Sequence, residues 1–286
     1  MAPSTYLFEA NFPWQQHVLA SEIYFVPKAN QMKLKRILSF TGVFVLVFIS
    51  GLGALILFPQ PLFAHAATYQ QVEIYGELPQ DLHSLYKALD EAREMLTHSE
   101  LFDSSYQFDV FFAHGSAFNK LDDALLGEWS AARAIDNNVI IKRAWNPKTG
   151  WVENGENHFE LAYVLAHEMT HCLQAHAYGK RVFNPFRHPP MWKLEGYPEY
   201  IARRKLLREE DYNLKIEISK FLELEVSPEG IVQISETQST PYIYLKGRLM
   251  VEYLMDIKGF SYDDILDEAV KEEAVYTEML TWHSEP

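Results

Sequence analysis

Two histidines and a glutamate lie at a spacing that suits metal-dependent hydrolysis. The segment 165-LAHEMTHCLQ-174 contains His167, Glu168 and His171 in the pattern HExxH. Residues four apart lie on one face of a helix, so both imidazoles can bind one metal ion, and imidazole nitrogen suits zinc. Glu168 is turned by about 100° from His167, which places it beside the metal as a general base for the metal-bound water. The alternative is an amphipathic helix that carries two histidines without a metal.

A catalytic zinc site needs a third protein ligand. The same helix does not supply one, because His176 is five residues beyond the second histidine and Cys172 is turned away, as expected of a core thiol. Gln174 and Ala177 stand where a metzincin carries glycine and histidine, which excludes that class. The third ligand must therefore come from another element, and the segment 191-MWKLEGYPEYIARR-204 offers carboxylates.

Residues 192–200, WKLEGYPEY, resemble the W-x-x-E-G-x-x-x-Y string of the gluzincins, the thermolysin-like and aminopeptidase N-like zinc peptidases. The resemblance implies Glu195 as the third ligand of one zinc ion per chain. It also implies that Glu199, one turn later, binds His167 on the side of its ring that faces away from the metal. The alternative for Glu199 is a solvated charge on the helix surface. Pro198 departs from the commoner alanine. Because proline is tolerated in a first helical turn, the glutamate helix should begin near Leu194 or Glu195.

Further resemblances concern the transition state and the substrate. Residues 244–247, YLKG, match a Y-x-K-G string of aminopeptidase N-like enzymes, which implies that Tyr244 donates a hydrogen bond to the oxyanion. The alternative for Tyr244 is a core tyrosine, and Tyr242 is the second candidate for the oxyanion role.

In gluzincins an edge strand over the cleft pairs with extended peptide substrate. That role is placed on Asn138, Val139, Ile140 and Ile141. The G-x-M-E-N string of the aminopeptidases does not occur, so nothing indicates recognition of a free amino terminus.

Periodicity predicts an α+β fold with a small mixed sheet followed by a mainly helical half. The resemblance implies a zincin-like catalytic domain with an HExxH helix and a glutamate helix. The HExxH helix should begin after a capping box of Asn157 and Glu160 and stop at Gly179. A loop or short hairpin is expected over residues 225–238. The expected helices cover residues 79–97, 117–134, 158–178, 200–224, 242–259 and 261–272, and the expected strands cover residues 107–115 and 137–145.

Composition limits the classes of partner. The formal net charge of −14 makes nucleic acid an unsuitable partner, because phosphates favour basic surfaces. A single cysteine excludes an internal disulfide bond. Hydrophobic residues make up 48% of the chain, which is typical of a folded protein with a proper core.

The amino-terminal region predicts export. Residues 37–58 are uncharged and follow the basic stretch 32-MKLKR-36. An apolar stretch of this length can span a bilayer, and the basic flank stays in the cytoplasm, so everything after Phe58 is expected outside it.

Two fates of this region remain open. Residues 64–66, AHA, fit a signal-peptidase site and favour cleavage before Ala67, and an uncleaved signal anchor is the alternative. The predicted division is an upstream extension or cytoplasmic tail over residues 1–31, a signal peptide or anchor over residues 32–66, and the catalytic domain over residues 67–286.

These features together predict a zinc metallopeptidase that hydrolyses peptide bonds outside the cytoplasm, as a secreted, periplasmic or membrane-anchored protein. Its partners are a peptide or protein substrate and, without cleavage, the membrane through residues 37–58. The alternative is a non-catalytic envelope module that keeps the metal for stability or partner binding. Glu168 favours the enzyme, because a structural zinc site does not need it. A helical adaptor with an accidental HExxH leaves the strings around Glu195 and Tyr244 unexplained.

Overall fold

The described chain falls into two parts by its internal contacts. The division lies between Gly51 and Leu52. The computed structural model describes residues 28–127, 130–179, 182–183, 188–204, 212–227, 230–235 and 238–286.

Helix α1 (Lys28–Leu57) contains the predicted apolar segment. Among the described residues, Ser39–Leu57 is the one helical stretch long and apolar enough to cross a membrane. This stretch can serve as a signal sequence or as a membrane anchor. Most of the predicted upstream extension, residues 1–27, lies outside the described residues.

A five-stranded mixed sheet, in the order β1-β2-β3-β5-β4, opens the second part. Strands β2, β3 and β5 run parallel, and β1 and β4 pair antiparallel at the two edges. The expected strands over residues 107–115 and 137–145 are present in shorter form, whereas β1 and β2 were not predicted. The strands are β1 (His65–Tyr69), β2 (Val72–Gly76), β3 (Phe108–Phe112), β4 (Ala132–Ile135) and β5 (Asn138–Ile141).

The later part of the chain is mainly helical, and the fold is therefore α+β, as predicted. Two smaller antiparallel sheets accompany the helices. One of them pairs residues 231–235 with residues 238–241, so it begins inside the region 225–238, where a loop or short hairpin was expected, and extends beyond it. Their strands are β6 (Ala144–Asn146), β7 (Trp151–Asn154), β8 (Asn157–Glu160), β9 (Ile231–Ser235) and β10 (Gln238–Pro241). The helices are α2 (His83–Leu96), α3 (Ala117–Leu126), α4 (Leu161–Tyr178), α5 (Met191–Leu194), α6 (Gly196–Ala202), α7 (Leu214–Leu222), α8 (Tyr242–Glu252), which continues as a π-helical turn (Tyr253–Ile257), α9 (Tyr262–Leu266) and α10 (Glu272–Ser284).

The two faces of the large sheet bury separate apolar clusters, because alternate residues of a strand point to opposite sides. Val110, Val139 and Ile141 belong to the main core, to which α2 and α4 also contribute. Phe111 and Ile140 belong to a smaller cluster, which also contains side chains of α3. Helix α4 packs against β4 and β5, and this contact places the HExxH residues beside the edge of the sheet.

A buried ion cluster fixes edge strand β4 to helix α3. Lys142, which follows β5, has its Nζ atom 2.7 Å from both Asp122 Oδ2 and Asp123 Oδ1. The Arg133 side chain of β4 donates to the carbonyl of Gly127 at the carboxyl end of α3, where a cation is favoured. The end of the helix, β4 and the residue after β5 are therefore held together.

Two predicted boundaries around the site are wrong. The helix expected over residues 117–134 ends at Leu126, and Ala132–Ile135 forms β4, because pairing with β5 outweighs the helix propensity of alanine and arginine. Residues 128–129 of that expected helix lie outside the described residues. Asn157 and Glu160 do not form a capping box, because both belong to β8; Asn157 Oδ1 instead accepts hydrogen bonds from Ser239.

The later helices are shorter than predicted. The helix expected over residues 200–224 is divided between α6 and α7, and residues 205–211 between them lie outside the described residues. The α-helical parts of the two helices expected over residues 242–259 and 261–272 end at Glu252 and Leu266.

Candidate metal centre

Helix α4 carries the HExxH residues through the interior. It begins at Leu161 directly after β8 and ends before Gly179, whose φ of +82° suits a residue without a side chain, as predicted. Apolar residues cover nearly all sides of this helix, which is typical of a buried central helix. The side chains of His167 and His171 are therefore largely buried.

Three side chains converge on one point. His167 Nε2 and His171 Nε2 each lie 3.3 Å from Glu195 Oε2. The three ligand atoms lie within 4.8 Å of one another, and in the described chain this is the one group of three or more such side chains close enough to hold a metal ion. Two imidazole nitrogens and one carboxylate oxygen form a donor set found in catalytic zinc sites.

Glu195 reaches this point from the junction of two short helices. It follows α5 and immediately precedes α6, so the glutamate helix begins where the sequence predicts. Pro198 lies in the first turn of α6, where a missing N–H costs no helical hydrogen bond. The backbone N–H of Glu199 donates to the Glu195 carbonyl over 3.0 Å, which fixes the start of the helix.

Glu199 lies behind His167. Its Oε1 atom is 3.5 Å from His167 Nδ1, and it accepts hydrogen bonds from the Tyr163 hydroxyl and from Arg203 Nε. Burial opposes ionisation of Glu199, but the close contact with His167 and the charge of Arg203 outweigh burial and lower its pKa to about 2. Glu199 is only 3% exposed, so it is a buried carboxylate that can orient His167 and not a solvated helix charge.

Gln174 contacts the Nδ1 atom of His171, just as Glu199 contacts the Nδ1 atom of His167. His171 Nδ1 lies 2.8 Å from Gln174 Oε1, and a hydrogen bond donated there leaves Nε2 for the metal. The Gln174 amide nitrogen donates to the Leu194 carbonyl and to the Tyr262 hydroxyl. The sequence did not predict this role. Its position three residues after His171 on a buried helix was the available signal.

The electrostatics of the site favour a positive charge between the ligands. Burial opposes a charge on His167, but its contacts with the Glu195 and Glu199 carboxylates, at 3.3 Å and 3.5 Å, outweigh burial and hold its pKa well above the ordinary value. Burial likewise opposes ionisation of Glu195, but the charge of His171 and the hydrogen bonds with both histidines hold its pKa well below the ordinary value. The same field that stabilises a proton here suits a divalent cation, which displaces that proton.

Glu168 borders the three ligands without joining them. Burial raises the pKa of its carboxyl, and the charges of His167 and His171 lower it, with a net increase. A carboxylate with a raised pKa is the stronger base, and a proton acceptor works best when its pKa approaches the operating pH. The position of Glu168 is therefore consistent with the general base that HExxH predicts.

Tyr244 lies over the same point, whereas Tyr242 does not. The Tyr244 ring is nearly parallel to the His167 ring, with 6.2 Å between centroids and 15° between planes. Burial, followed by the charges of Glu195 and Glu168, raises the pKa of the Tyr244 phenol, so the hydroxyl stays protonated and can donate a hydrogen bond. The Tyr242 ring instead stacks on Phe221, with 5.0 Å between centroids.

The placement of the substrate role on Asn138, Val139, Ile140 and Ile141 is wrong. These residues form β5, which is buried along its length and pairs with β3 on one side and β4 on the other. No backbone edge of β5 is left for a peptide, and the Asn138 amide donates to the Leu57 carbonyl.

The edge strand beside α4 is β4. The Lys142 N–H donates to the Ala131 carbonyl, and backbone groups alternate along an antiparallel ladder. With the register of the pair, this alternation turns the backbone groups of Ala132 and Ala134 away from β5. Within the described residues no strand pairs with that side of β4.

The other candidates on α4 lie apart from the ligands. Cys172 is a fully buried free thiol, as predicted. His176 is exposed near Asp103, with 3.9 Å between Nε2 and Oδ2.

The chain matches no protein-family model and has no significant match among curated proteins. It is an α+β protein whose His167, His171 and Glu195 can hold a metal ion, and whose apolar helix α1 can be a signal sequence or an anchor.

Proposed function

We propose that this chain is a zinc-dependent metallopeptidase of zincin-like fold that acts outside the cytoplasm. The observation that carries the proposal is the convergence of His167, His171 and Glu195 on one point, with the Tyr244 ring stacked beside His167 and Glu168 next to His167 on the same helix. A metal site that serves only stability needs neither an adjacent carboxylate nor a phenol. The basic flank before the apolar helix supports placement of the domain outside the cytoplasm.

The residues present fit zinc. His167 Nε2, His171 Nε2 and a Glu195 oxygen would be its ligands, and three protein ligands are the usual number in a catalytic zinc site. When bound, zinc polarises a carbonyl group and lowers the pKa of water. Glu199 and Gln174 hold the two imidazoles in the orientation and tautomer that present Nε2.

Glu168 and Tyr244 are the groups that would act on the reacting atoms. Glu168 takes a proton from the attacking water and delivers it to the amine that leaves, so the carboxylate is regenerated in each cycle. Tyr244 stays neutral because its pKa is raised, and its hydroxyl donates to the carbonyl oxygen as negative charge develops there.

Strand β4 is the element that would bind the peptide. The N–H and C=O groups of Ala132 and Ala134 point away from β5, and an extended peptide can add to them as a further strand. Backbone pairing of this kind accepts many side chains. We therefore expect little discrimination between amino acids in the part of the substrate that pairs with β4.

Replacement of Glu168 tests the reaction. Glu168→Gln should bind one zinc ion per chain but cleave a quenched-fluorescent peptide library about 100- to 10,000-fold more slowly, the range expected for loss of a general base. Glu153→Gln, at an exposed position on β7, is the matched control and should retain full activity. Wild-type activity in Glu168→Gln would refute the mechanism, and a zinc-loaded wild-type chain that cleaves nothing would favour a non-catalytic module.

Replacement of Glu195 tests the ligand set. Glu195→Ala should lose most of its zinc, because two imidazoles alone hold the ion weakly. The measurement is zinc per chain by elemental analysis after dialysis against a weak chelator. Equal zinc in Glu195→Ala and wild type would remove Glu195 from the ligand set.

A further inference from the structure

The end of the apolar stretch and the residues that follow it are built into the second part of the molecule. Ile56 is buried in the smaller cluster of the sheet, together with Phe111 and Ile140. Phe63 packs against the same cluster, with ring centroids 5.2 Å from Phe111 and 5.5 Å from Phe118. The face of the sheet opposite the main core is therefore covered by α3 and by residues 56–63.

Hydrogen bonds fix the same segment. Gln60 Nε2 donates to Asp109 Oδ2 over 2.7 Å and to Asn138 Oδ1 over 3.2 Å, and these acceptors lie on neighbouring strands β3 and β5. Asn138, which is only 1% exposed, donates to the Leu57 carbonyl over 2.9 Å. Without this segment, Asn138 and Asp109 would exchange these partners for water, and the apolar side chains of the smaller cluster would be exposed, which is unfavourable.

The expected cleavage point lies inside a strand. The bond between Ala66 and Ala67 belongs to β1, which begins at His65 and pairs antiparallel with β2. Just upstream, the Ala64 carbonyl accepts a hydrogen bond from the Gly76 N–H over 2.9 Å. Cleavage before Ala67 would therefore remove the start of an edge strand as well as the cover of the sheet.

We propose that residues 52–66 are a permanent part of the folded domain, and that the apolar helix is an uncleaved anchor whose partner is a lipid bilayer. Continuity of the chain supports this partner, since the membrane-length stretch ends at Leu57, one residue after the buried Ile56. Leu57 and Phe58 are 49% and 60% exposed where the chain leaves this stretch, as suits apolar groups at a lipid interface. The proposal does not depend on zinc or on peptidase activity.

The mature amino terminus tests the proposal directly. The full chain, produced in a bacterial cell envelope, should keep residues upstream of Ala67 by intact-mass measurement. It should also stay in the membrane pellet after an alkaline carbonate wash, which releases peripheral proteins. An amino terminus at Ala67 together with release into the soluble fraction would overturn the proposal, whatever the zinc content of the protein.

The contribution of the segment to folding is tested in the same full chain. Phe63→Ser should lower Tm by about 10 °C, because it removes an aromatic ring from the cluster, whereas Leu62→Ser at an exposed position should change it by less than about 2 °C. Neither substitution touches residues 64–66. If Phe63→Ser does not fold, Gln60→Ala, which removes two hydrogen bonds, should still lower Tm by about 3–6 °C. Folded variants as stable as Leu62→Ser would overturn the proposal.

Discussion

Gly196 and Gly247 meet where helices α6 and α8 cross. A Cβ atom on Gly196 would lie 2.6 Å from the carbonyl carbon and oxygen of Gly247, and a Cβ atom on Gly247 would lie 2.8 Å from the Trp192 carbonyl oxygen. Glu195 directly precedes the first glycine, and Tyr244 stands one turn before the second. The glycines of the E-G and K-G strings therefore allow the ligand helix and the tyrosine helix to approach closely.

We expect Gly247→Ala to impair both stability and function. A methyl group there meets backbone atoms that cannot turn aside, so the helices must separate and Tyr244 moves away from the ligands. The expected result is a loss of stability of about 1–3 kcal/mol, as for other overpacked sites, with lower activity. Thermal unfolding and peptide cleavage are the measurements.

The matched control for this variant is Gly155→Ala. Gly155 has a φ of +65° and open space around its Cβ position, so alanine there brings backbone strain of about 1–2 kcal/mol without a collision. It should leave peptide cleavage unchanged. If the two variants behaved alike, close helix packing would not be the reason for glycine at position 247.

Removal of the Tyr244 hydroxyl should slow the reaction without affecting the metal. Tyr244→Phe keeps the ring over His167 and loses the donor to the oxyanion, for which a loss of about 100- to 1,000-fold in kcat is typical. Zinc content and KM should be nearly unchanged. Tyr242→Phe is the control, because the Tyr242 ring packs on Phe221. A larger loss of kcat in Tyr242→Phe than in Tyr244→Phe would assign the oxyanion role to Tyr242 instead.

Replacement of Gln174 should weaken zinc binding. Gln174→Ala leaves His171 Nδ1 without its acceptor, so the ring is free to turn, and loss of such a brace typically lowers metal affinity about 10- to 100-fold. Competition with a fluorescent chelator measures the affinity. Gln80→Ala at an exposed position is the control, and equal affinities in the two variants would show that Gln174 does not orient the ligand.

The Glu199 carboxylate should make stability depend on acid pH. Its pKa in the folded, metal-free protein is lowered from 4.5 to about 2, so its contribution is fully present above about pH 4.5 and is lost as the pH falls towards 2. The difference in unfolding free energy between wild type and Glu199→Gln should have a pH-dependent part of about 3 kcal/mol at pH 7. Denaturant unfolding with chelator at several pH values measures it, and a difference that stays constant from pH 7 to pH 3 would contradict the expectation.

Local spacing made part of the site predictable. His167 and His171 are one turn apart, so a helix is enough to bring them together, and Gly179 marks its end. Glu195 was proposed as a ligand only because residues 192–200 resemble a string of a known family. The sequence alone does not show that Glu195 lies close to α4 in the fold.

Long-range contacts explain what the sequence did not predict. The sequence of β4 predicts a helix because Ala132 and Arg133 have high helix propensity. Only the pairing of β4 with β5 makes this segment a strand. Gln174 owes its orientation partly to Tyr262, 88 residues later in the chain. The packing of Phe63 on Phe118 likewise joins segments with no visible relation in the sequence.

The segment that carries Glu195 also supports both histidines. Glu199 lies behind His167, and the carbonyl of Leu194 accepts from the Gln174 amide that holds His171. If the proposed metal binds, we expect docking of residues 191–199 against α4 and uptake of the metal to be linked equilibria, in which each strengthens the other by the same factor. Any change that loosens this segment weakens metal binding without touching a ligand, so the centre is expected to assemble and come apart as one cooperative unit.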